Sequence, residues 1–298
     1  MKAFQHVLVG VDFCGSSGKL TEGARSATLQ ALRIRAANGA RLDFLYSTAR
    51  HSEEEPCDEA NRDAGIQEWG DLCREHGLAD PTLIEATDPP WLAIIRRVLT
   101  HGHDLVLVAK RNRTRRRDRR MGSVTMKLVR KCPGPVWVVN PSFEHEQGPI
   151  LAATDLREVG NRAVSMAAEW VRMEKRDLYV VHAWQIPFEL QLHASRMGDE
   201  DYHRRVREEE QRAREEILAI PGVHAIRDRV HPVIALGAPS ERILEVEHRL
   251  DPSLSVLGTV GRGGVPGFLM GNTAERLLYK LESSLLVVKP ADFVCPVE

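Results

Sequence analysis

Hydrophobic and polar positions along the chain follow two alternating patterns. Short continuous apolar runs such as Val7-Leu8-Val9 are typical of strands buried on both faces, and longer segments with apolar residues three and four positions apart are typical of amphipathic helices. The first half predicts strands at 5–11, 41–46, 82–86, 104–109 and 135–140, and helices at 18–37, 57–77, 90–101 and 122–131. The second half predicts strands at 149–154, 177–183, 230–235, 253–258 and 284–289, and helices at 160–174, 200–219, 239–249 and 271–283.

The order of elements occurs twice because the chain repeats itself. Gly122 corresponds to Gly271, and Trp137-Val138-Val139 corresponds to Leu286-Val287-Val288, both at an offset of 149 residues. A repeat of this size indicates a duplicated domain and not a solenoid. We therefore predict an α/β fold with two tandem, doubly wound parallel-sheet domains at 1–142 and 148–298, joined by a polar linker near 141–148.

Composition narrows the class of protein. The chain has 298 residues, 28% of them charged, with a net charge of -1, so its overall charge draws it to neither nucleic acid nor membrane. Apolar runs stay well short of the roughly 18 residues of a membrane span, and the start of the chain is not a signal peptide. Five cysteines without metal-ligand spacing favour a reduced, cytoplasmic setting; they are Cys14, Cys57, Cys73, Cys132 and Cys295.

Glycines mark a candidate ligand loop in the second half. Gly258 follows the predicted strand at 253–258, Gly261 comes three positions later, and Gly271 precedes the last predicted helix. Glycines let the backbone approach a ligand closely, and the amides at a helix start favour phosphate or another anion. The spacing is neither a Walker loop nor a dinucleotide fingerprint. The alternative is that these glycines only shape a strand-to-helix turn.

The spacing G-x2-G-x9-G followed by a small polar residue resembles the nucleotide loop of universal stress proteins. The similarity extends to residues 256–298, which read VLGTVGRGGVPGFLMGNTAERLLYKLESSLLVVKPADFVCPVE, and to 103–109 and 128–139, which read HDLVLVA and LVRKCPGPVWVV. Together these segments resemble tandem universal stress proteins of the E type. The resemblance implies the Rossmann-like fold of that family, related to adenine nucleotide alpha hydrolases, in both domains.

The resemblance also implies a ligand and a set of binding residues. In nucleotide-binding members the base lies near the first-strand Asp and the phosphates lie along the glycine loop, which implies ATP with Mg2+ in the second domain. Position by position, the implied ligand-binding residues are Ala153, Asp155, Ala183, Leu257, Gly258, Val260, Gly261, Arg262, Gly271, Asn272 and Thr273. Asn272 stands where the family usually has Ser or Thr, and Asp155 has a turn-capping role as its alternative.

The first domain lacks the equivalent loop. Ala109 and Asn112 occupy the positions of Gly258 and Gly261, and only Gly122-Ser123 remains. The stretch 110–120 instead holds eight basic side chains in eleven positions. We interpret it as a solvated loop, with contact to an anion or a nucleic acid as the alternative; the absence of aromatic residues disfavours base stacking.

No catalytic set is evident in the sequence, so we expect a non-catalytic stress-response protein, at most hydrolysing ATP slowly and incidentally, that signals through partner surfaces. His101 and His103 flank Gly102 before a strand, where a loop role is favoured over metal ligation, and no metal site is predicted. An alternative ligand is amphipathic and lipid-like, with the apolar segment 184–197 as its wall. Family domains commonly pair through their fifth strands, so an internal pseudo-dimer is expected, with a homodimer left open.

Overall fold

The protein is described by a computed structural model over residues 4–13, 20–49, 59–110, 121–141, 147–185, 199–259 and 271–297. In the first half the elements are β1 (His6–Gly10), α1 (Glu22–Asn38), β2 (Arg41–Ser47), α2 (Glu59–Glu75), β3 (Leu83–Ala86), α3 (Pro90–His101), β4 (Leu105–Ala109), α4 (Ser123–Lys131) and β5 (Val136–Val139). In the second half they are β6 (Ile150–Ala153), α5 (Glu158–Glu174), β7 (Leu178–Trp184), α6 (Asp199–Ala219), a 3-10 helix (His224–Arg229), β8 (Val230–Leu236), α7 (Pro239–Leu250), β9 (Leu254–Gly258), α8 (Asn272–Lys280) and β10 (Ser284–Val288).

The ten strands form one continuous sheet in the order β3-β2-β1-β4-β5-β10-β9-β6-β7-β8. Pairing is parallel within each half and antiparallel only between β5 and β10 among the described strands. Each half therefore has the doubly wound α/β topology that the sequence predicts. Pro232 lies in β8, which is an edge strand. Proline lacks a backbone N–H, and at an edge this removes no hydrogen bond between central strands.

Helices cover both faces of the sheet, so its inner strands are buried on both sides. Val7 and Val9 belong to the core under α1, α2, α5 and α6, whereas Leu8 belongs to the core under α3, α4, α7 and α8. Each core runs without interruption through both halves, because it contains residues of both. This two-sided burial is the physical reason for the continuous apolar runs in the sequence.

The predicted elements all form; the larger differences in their bounds lie at helix ends, and the 3-10 helix at His224–Arg229 was not predicted. α1 begins at Glu22 and not near 18, because Thr21 adopts an extended backbone and its side chain accepts a hydrogen bond from the Ala24 amide at 3.1 Å. α8 ends at Lys280 and not near 283, because the next amides turn to the buried carboxylate of Glu247; its Oε1 accepts from the Ser283 amide at 3.1 Å.

The two halves are joined by an antiparallel strand pair. Leu285 lies opposite Val138, Leu286 opposite Trp137, and Val287 opposite Val136. Every residue of β5 is buried, as are four of the five in β10. The expected pairing of the fifth strands thus occurs within one chain.

Three aromatic rings reinforce this junction from one face of the sheet. Trp137 of β5 meets Trp170 of α5 edge to face, with ring centroids 5.2 Å apart at 89°. Phe4 lies 6.2 Å from both indoles. Since Phe4 and Trp137 come from the first half and Trp170 from the second, the cluster links the two domains through apolar area and ring geometry.

Replacing Trp170 by alanine tests this cluster. Trp170 is 2% exposed, so we expect the substitution to lower the free energy of unfolding by about 3–5 kcal/mol, the usual cost of removing a large buried aromatic side chain. Urea unfolding followed by circular dichroism measures it. Tyr279→Ala is the control, since Tyr279 is 38% exposed and should cost far less. Equal losses in the two variants would contradict the role given to the cluster.

The segment after β10 returns to the first half and buries a lysine. Lys289 is 4% exposed, its Nζ donates to the carbonyl of Arg130 at 3.1 Å, and it lies 4.5 Å from the centre of the Phe293 ring. Cys295 follows on the same segment, and its thiol donates to the carbonyl of Lys131. Burial lowers the pKa of Lys289 from its ordinary 10.5 to about 8.

This depressed pKa predicts a pH dependence of stability. Between pH 8 and pH 10.5 the unfolded chain holds the Lys289 proton and the folded chain does not, so this group makes stability rise with pH in that window. We expect the unfolding free energy of the wild type to rise, relative to that of Lys289→Met, by about 3 kcal/mol across the window. Urea unfolding at several pH values measures the difference, and Lys280→Met, on exposed Lys280, is the control. A pH-independent difference would contradict the prediction.

A buried polar cluster lies at the amino-terminal edge of the first half's strands. Asp43 of β2 receives a hydrogen bond from His103 Nε2 at 3.1 Å and one from Arg97 at 3.4 Å, and Arg41 and His6 lie within 3.4 Å of its oxygens. Burial alone would raise the pKa of Asp43, but His103, Arg41 and Arg97 together hold it below its ordinary value. Burial lowers the pKa of His103 despite its bond to Asp43.

Candidate functional site

The candidate site lies at the carboxyl ends of the second half's strands. β6 lies between β9 and β7, and the chain leaves β6 towards β7 on one side and reaches β9 on the other. This is the switch point at which open α/β sheets bind ligands. Ala153, Asp155, Ala183, Leu257 and Gly258 all come to this edge, on three neighbouring strands or directly after them.

The turn after β6 is built by side-chain hydrogen bonds to the backbone. Thr154 Oγ1 accepts from the Leu156 amide at 2.9 Å and donates to Asn161 Oδ1 at 2.9 Å. Asp155 Oδ1 accepts from the Arg157 amide at 3.1 Å. Asp155 therefore caps the turn; its side chain is about half exposed, and its other oxygen, Oδ2, lies 3.9 Å from Nε of Arg157.

His182 ties β7 to the same turn. Its Nδ1 lies 3.0 Å from the carbonyl oxygen of Thr154. A carbonyl only accepts, so Nδ1 carries the proton, and in the neutral ring Nε2 is then the acceptor nitrogen. Ala183 follows, half-buried, and pairs with Ala235 of β8. His182 thus orients the end of β7 beside Asp155.

Gly258 has a packing role that its position in the glycine pattern does not reveal. A Cβ built there would lie 2.9 Å from Val159 Cγ1 and 3.2 Å from the Val159 carbonyl, so the start of α5 already occupies that space. In the first half the small residue is on the helix instead: a Cβ on Gly23 would lie 3.0 Å from the Cβ of Ala109. Each half therefore uses one glycine where its first helix meets its fourth strand.

The two ends of the glycine loop are held together. The Gly271 amide donates to the carbonyl of Thr259 at 2.7 Å, and the amide of Thr259 donates to Val288 at 3.1 Å. Gly271 is the N-cap of α8 and makes no side-chain cap hydrogen bond, so the first amides of α8 have no side-chain acceptor from the cap residue. Val260, Gly261 and Arg262 lie outside the described residues.

Electrostatics at this helix start favour an anion. The acidic residue in the first turn of α8 is Glu275, and its carboxylate pairs with Arg130 of the first half at 2.7 Å. The pairing offsets the negative charge nearest the positive end of the helix dipole. Asn272 and Thr273, the first two residues of α8, are exposed and half-buried respectively.

The first half has the same backbone arrangement but a larger side chain at the strand ends. Gly122 is the N-cap of α4 with φ -59° and ψ 152°, close to the -59° and 143° of Gly271, and the Lys110 amide donates to Val139. Directly after Asp12, however, Phe13 is fully buried, with its ring 5.1 Å from that of Tyr46. An aromatic side chain therefore fills space at the end of β1 and β2.

Sequence reasoning missed three residues that shape the second-half site. Thr154 and Asn161 form the turn described above, and Gly160 is required beside it, because a Cβ there would lie 2.8 Å from both Thr154 Oγ1 and Asp155 Oδ1. The signal available in the sequence was a glycine at the start of a predicted helix, five positions after Asp155.

Two alternatives from the sequence fall mainly on residues outside the described ranges. The basic stretch is described only at Lys110, and the apolar wall proposed for an amphipathic ligand only at Trp184 and residue 185. Across the ranges that the structure describes, no helix has the length and apolar character needed to cross a membrane.

Comparison with known proteins agrees with this architecture. The sequence profile of the universal stress protein family matches residues 3–140 and 148–289. The chain belongs to the universal stress protein family, and carries two of its domains in tandem. It is a stress-response protein of that family.

Individual relatives support the tandem, E-type arrangement. Universal stress protein E of Escherichia coli K12 is 29% identical over 248 residues, which are 80% of this chain and 77% of that protein. Universal stress protein E of Photorhabdus laumondii is 27% identical over 70% of this chain and 68% of its own length.

Solved structures agree on the fold. A functionally unknown protein from Pseudomonas aeruginosa PAO1 has a TM-score of 0.73 at 24% identity, covering 98% of this chain and 94% of its own. A universal stress protein from Archaeoglobus fulgidus has a TM-score of 0.65 at 17% identity, covering 96% and 98%.

The contact between Gly258 and Val159 can be tested by exchanging the glycine between strand and helix. Gly258→Ala should destabilise the chain by about 1–3 kcal/mol through overpacking. Adding Val159→Gly reproduces the arrangement of Gly23 and Ala109, and we expect it to recover part of that loss. Urea unfolding of both single variants and the double variant gives the coupling energy. Strictly additive effects would show that the two residues do not share this space.

Proposed function

We propose that the second domain binds ATP, with Mg2+, or a related phosphate-bearing small molecule, without catalysing its conversion. The base lies at the ends of β6 and β7, beside Asp155 and Ala183, and the phosphates lie at the start of α8. Binding changes the surface offered to protein partners.

One observation carries the proposal. The first amides of α8 open at the switch-point edge, next to an N-cap glycine that makes no side-chain cap hydrogen bond and is tied to the end of β9. The amides at the start of a helix have no intrahelical partner, and together with the helix dipole they favour an anionic group. Family membership and the glycine spacing at 258, 261 and 271 support reading that anion as a nucleotide phosphate.

The contrast between the halves supports assigning the ligand to the second domain. The first half keeps a glycine N-cap at Gly122 but has Ala109 and Asn112 in place of the other two glycines. Phe13 follows Asp12 and is fully buried against Tyr46, whereas the residue after Asp155 in the second half is Leu156, which is half-buried. We therefore propose one nucleotide per chain, with the first domain in a structural and partner-facing role.

A matched pair of charge substitutions tests the site. Asn272→Asp places a carboxylate where the phosphates should lie, yet an acidic residue at a helix start does not weaken the helix. We expect it to weaken binding of ATP with Mg2+ at least about tenfold, a change of about 1.4 kcal/mol. Calorimetric titration of the ligand-free chain measures the affinity and the stoichiometry.

Ser123→Asp is the control, because Ser123 holds the equivalent exposed position at the start of α4. It should leave affinity at the wild-type value and stoichiometry at one. Unchanged affinity in Asn272→Asp, or an equal loss in both variants, would contradict the assignment of the phosphates to α8.

A further inference from the structure

Three potential metal ligands converge at the amino-terminal edge of the first half, away from the glycine loops. His6 begins β1, Asp43 lies in β2 and His103 lies two residues before the start of β4. β1 lies between β2 and β4, so the three side chains come from adjacent strands. Asp43 and His103 are buried, and the side chain of His6 is 19% exposed, which leaves the cluster accessible from one side.

The distances from each histidine to Asp43 match those of a metal site. Nε2 of His103 lies 3.1 Å from Oδ2 of Asp43, and Nε2 of His6 lies 3.4 Å from the same oxygen. One ligand atom from each residue lies within 4.8 Å of the others. In a tetrahedral zinc site with bonds of about 2.0–2.1 Å, neighbouring ligand atoms are about 3.3 Å apart.

Hydrogen bonding within the cluster is incomplete. Nε2 of His6 is buried and makes no hydrogen bond, although it faces the Asp43 carboxylate. The two imidazole rings lie with centroids 3.9 Å apart, tilted by 32°. A buried ring nitrogen without a partner is costly, and a cation beside Asp43 Oδ2 would satisfy it.

Two guanidinium groups compete for the same carboxylate. Arg41 Nε lies 3.4 Å from Oδ1, and its side chain is 68% exposed. Arg97 Nη2 lies 3.4 Å from Oδ2, the oxygen that the histidines face. A metal ion would leave Arg41 in place on Oδ1 but would displace Arg97, so Arg97 should limit the affinity.

We propose that His6, Asp43 and His103 form a binding site for one divalent transition-metal ion, with solvent in the remaining position. Two imidazole nitrogens and one carboxylate oxygen are ligands suited to Zn2+, and they are too few and too rich in nitrogen for Mg2+ or Ca2+. The site is separate from the proposed nucleotide site and joins three strands of the first domain.

Titration of the chelator-treated full chain with Zn2+, and separately with Co2+, tests the proposal. Competition with a chromophoric chelator gives the Zn2+ affinity, and visible absorption of Co2+ distinguishes nitrogen and oxygen ligands from thiolates. We expect one site, weakened at least about tenfold by His6→Asn and by His103→Asn. His101→Asn, at an exposed position two residues from His103, should leave it unchanged. Arg97→Met should tighten it.

Three outcomes would overturn the proposal. The first is that the wild-type chain binds no Zn2+. The second is that the His6→Asn chain, shown by circular dichroism to be folded, binds Zn2+ with unchanged affinity. The third is that Co2+ gives a thiolate charge-transfer band that persists in the histidine variants. His6→Asn is the decisive variant because its side chain is partly exposed, so it disturbs the core less than a change at Asp43.

Discussion

The antiparallel pair of β5 and β10 is the interaction on which the architecture depends. Both strands are apolar and almost entirely buried, and without each other they would be the exposed hydrophobic edges of two separate sheets. Their pairing turns two five-stranded sheets into one and lets each core run through both halves. Trp170 and the segment after β10 then pack across the junction that this pair creates. The two repeated domains therefore form a single structural unit with a shared sheet, and are not independent domains joined by a linker.

Much of the fold could be predicted from the sequence because burial on both faces leaves a simple pattern. Runs such as Leu105–Ala109 and Leu254–Gly258 are apolar throughout, and the repeat offset of 149 residues pairs them. Helix ends were less predictable, because they depend on individual contacts. Thr21 stops α1 from starting earlier, and Glu247, 35 residues away from Glu282, takes the amides that would have extended α8.

The glycine spacing located the candidate site, but it did not reveal the roles of the individual residues within it. Gly258 was read as room for a ligand, yet Val159, 99 positions earlier, occupies the space beside it. Such a contact depends on how a helix crosses a strand, which periodicity does not encode. The same limit hid the cluster of His6, Asp43 and His103: nothing in their spacing suggests a common site, and only the strand order makes them neighbours. The glycine pattern remains the basis for the nucleotide assignment.

The reversal of direction between β5 and β10 also decides which surfaces face the same way. Strands of the two halves run in opposite senses, so the carboxyl ends of β6 and β9 lie along the same rim of the sheet as the amino ends of β1 and β4. The glycine loop after β9 and the histidine cluster centred on β1 share that rim, four strand steps apart, or about 19 Å at about 4.8 Å a step. The two glycine-capped helices instead open on opposite rims. The glycine-capped loop of one half and its counterpart in the other half are therefore on opposite rims of the sheet and do not share a ligand-binding surface.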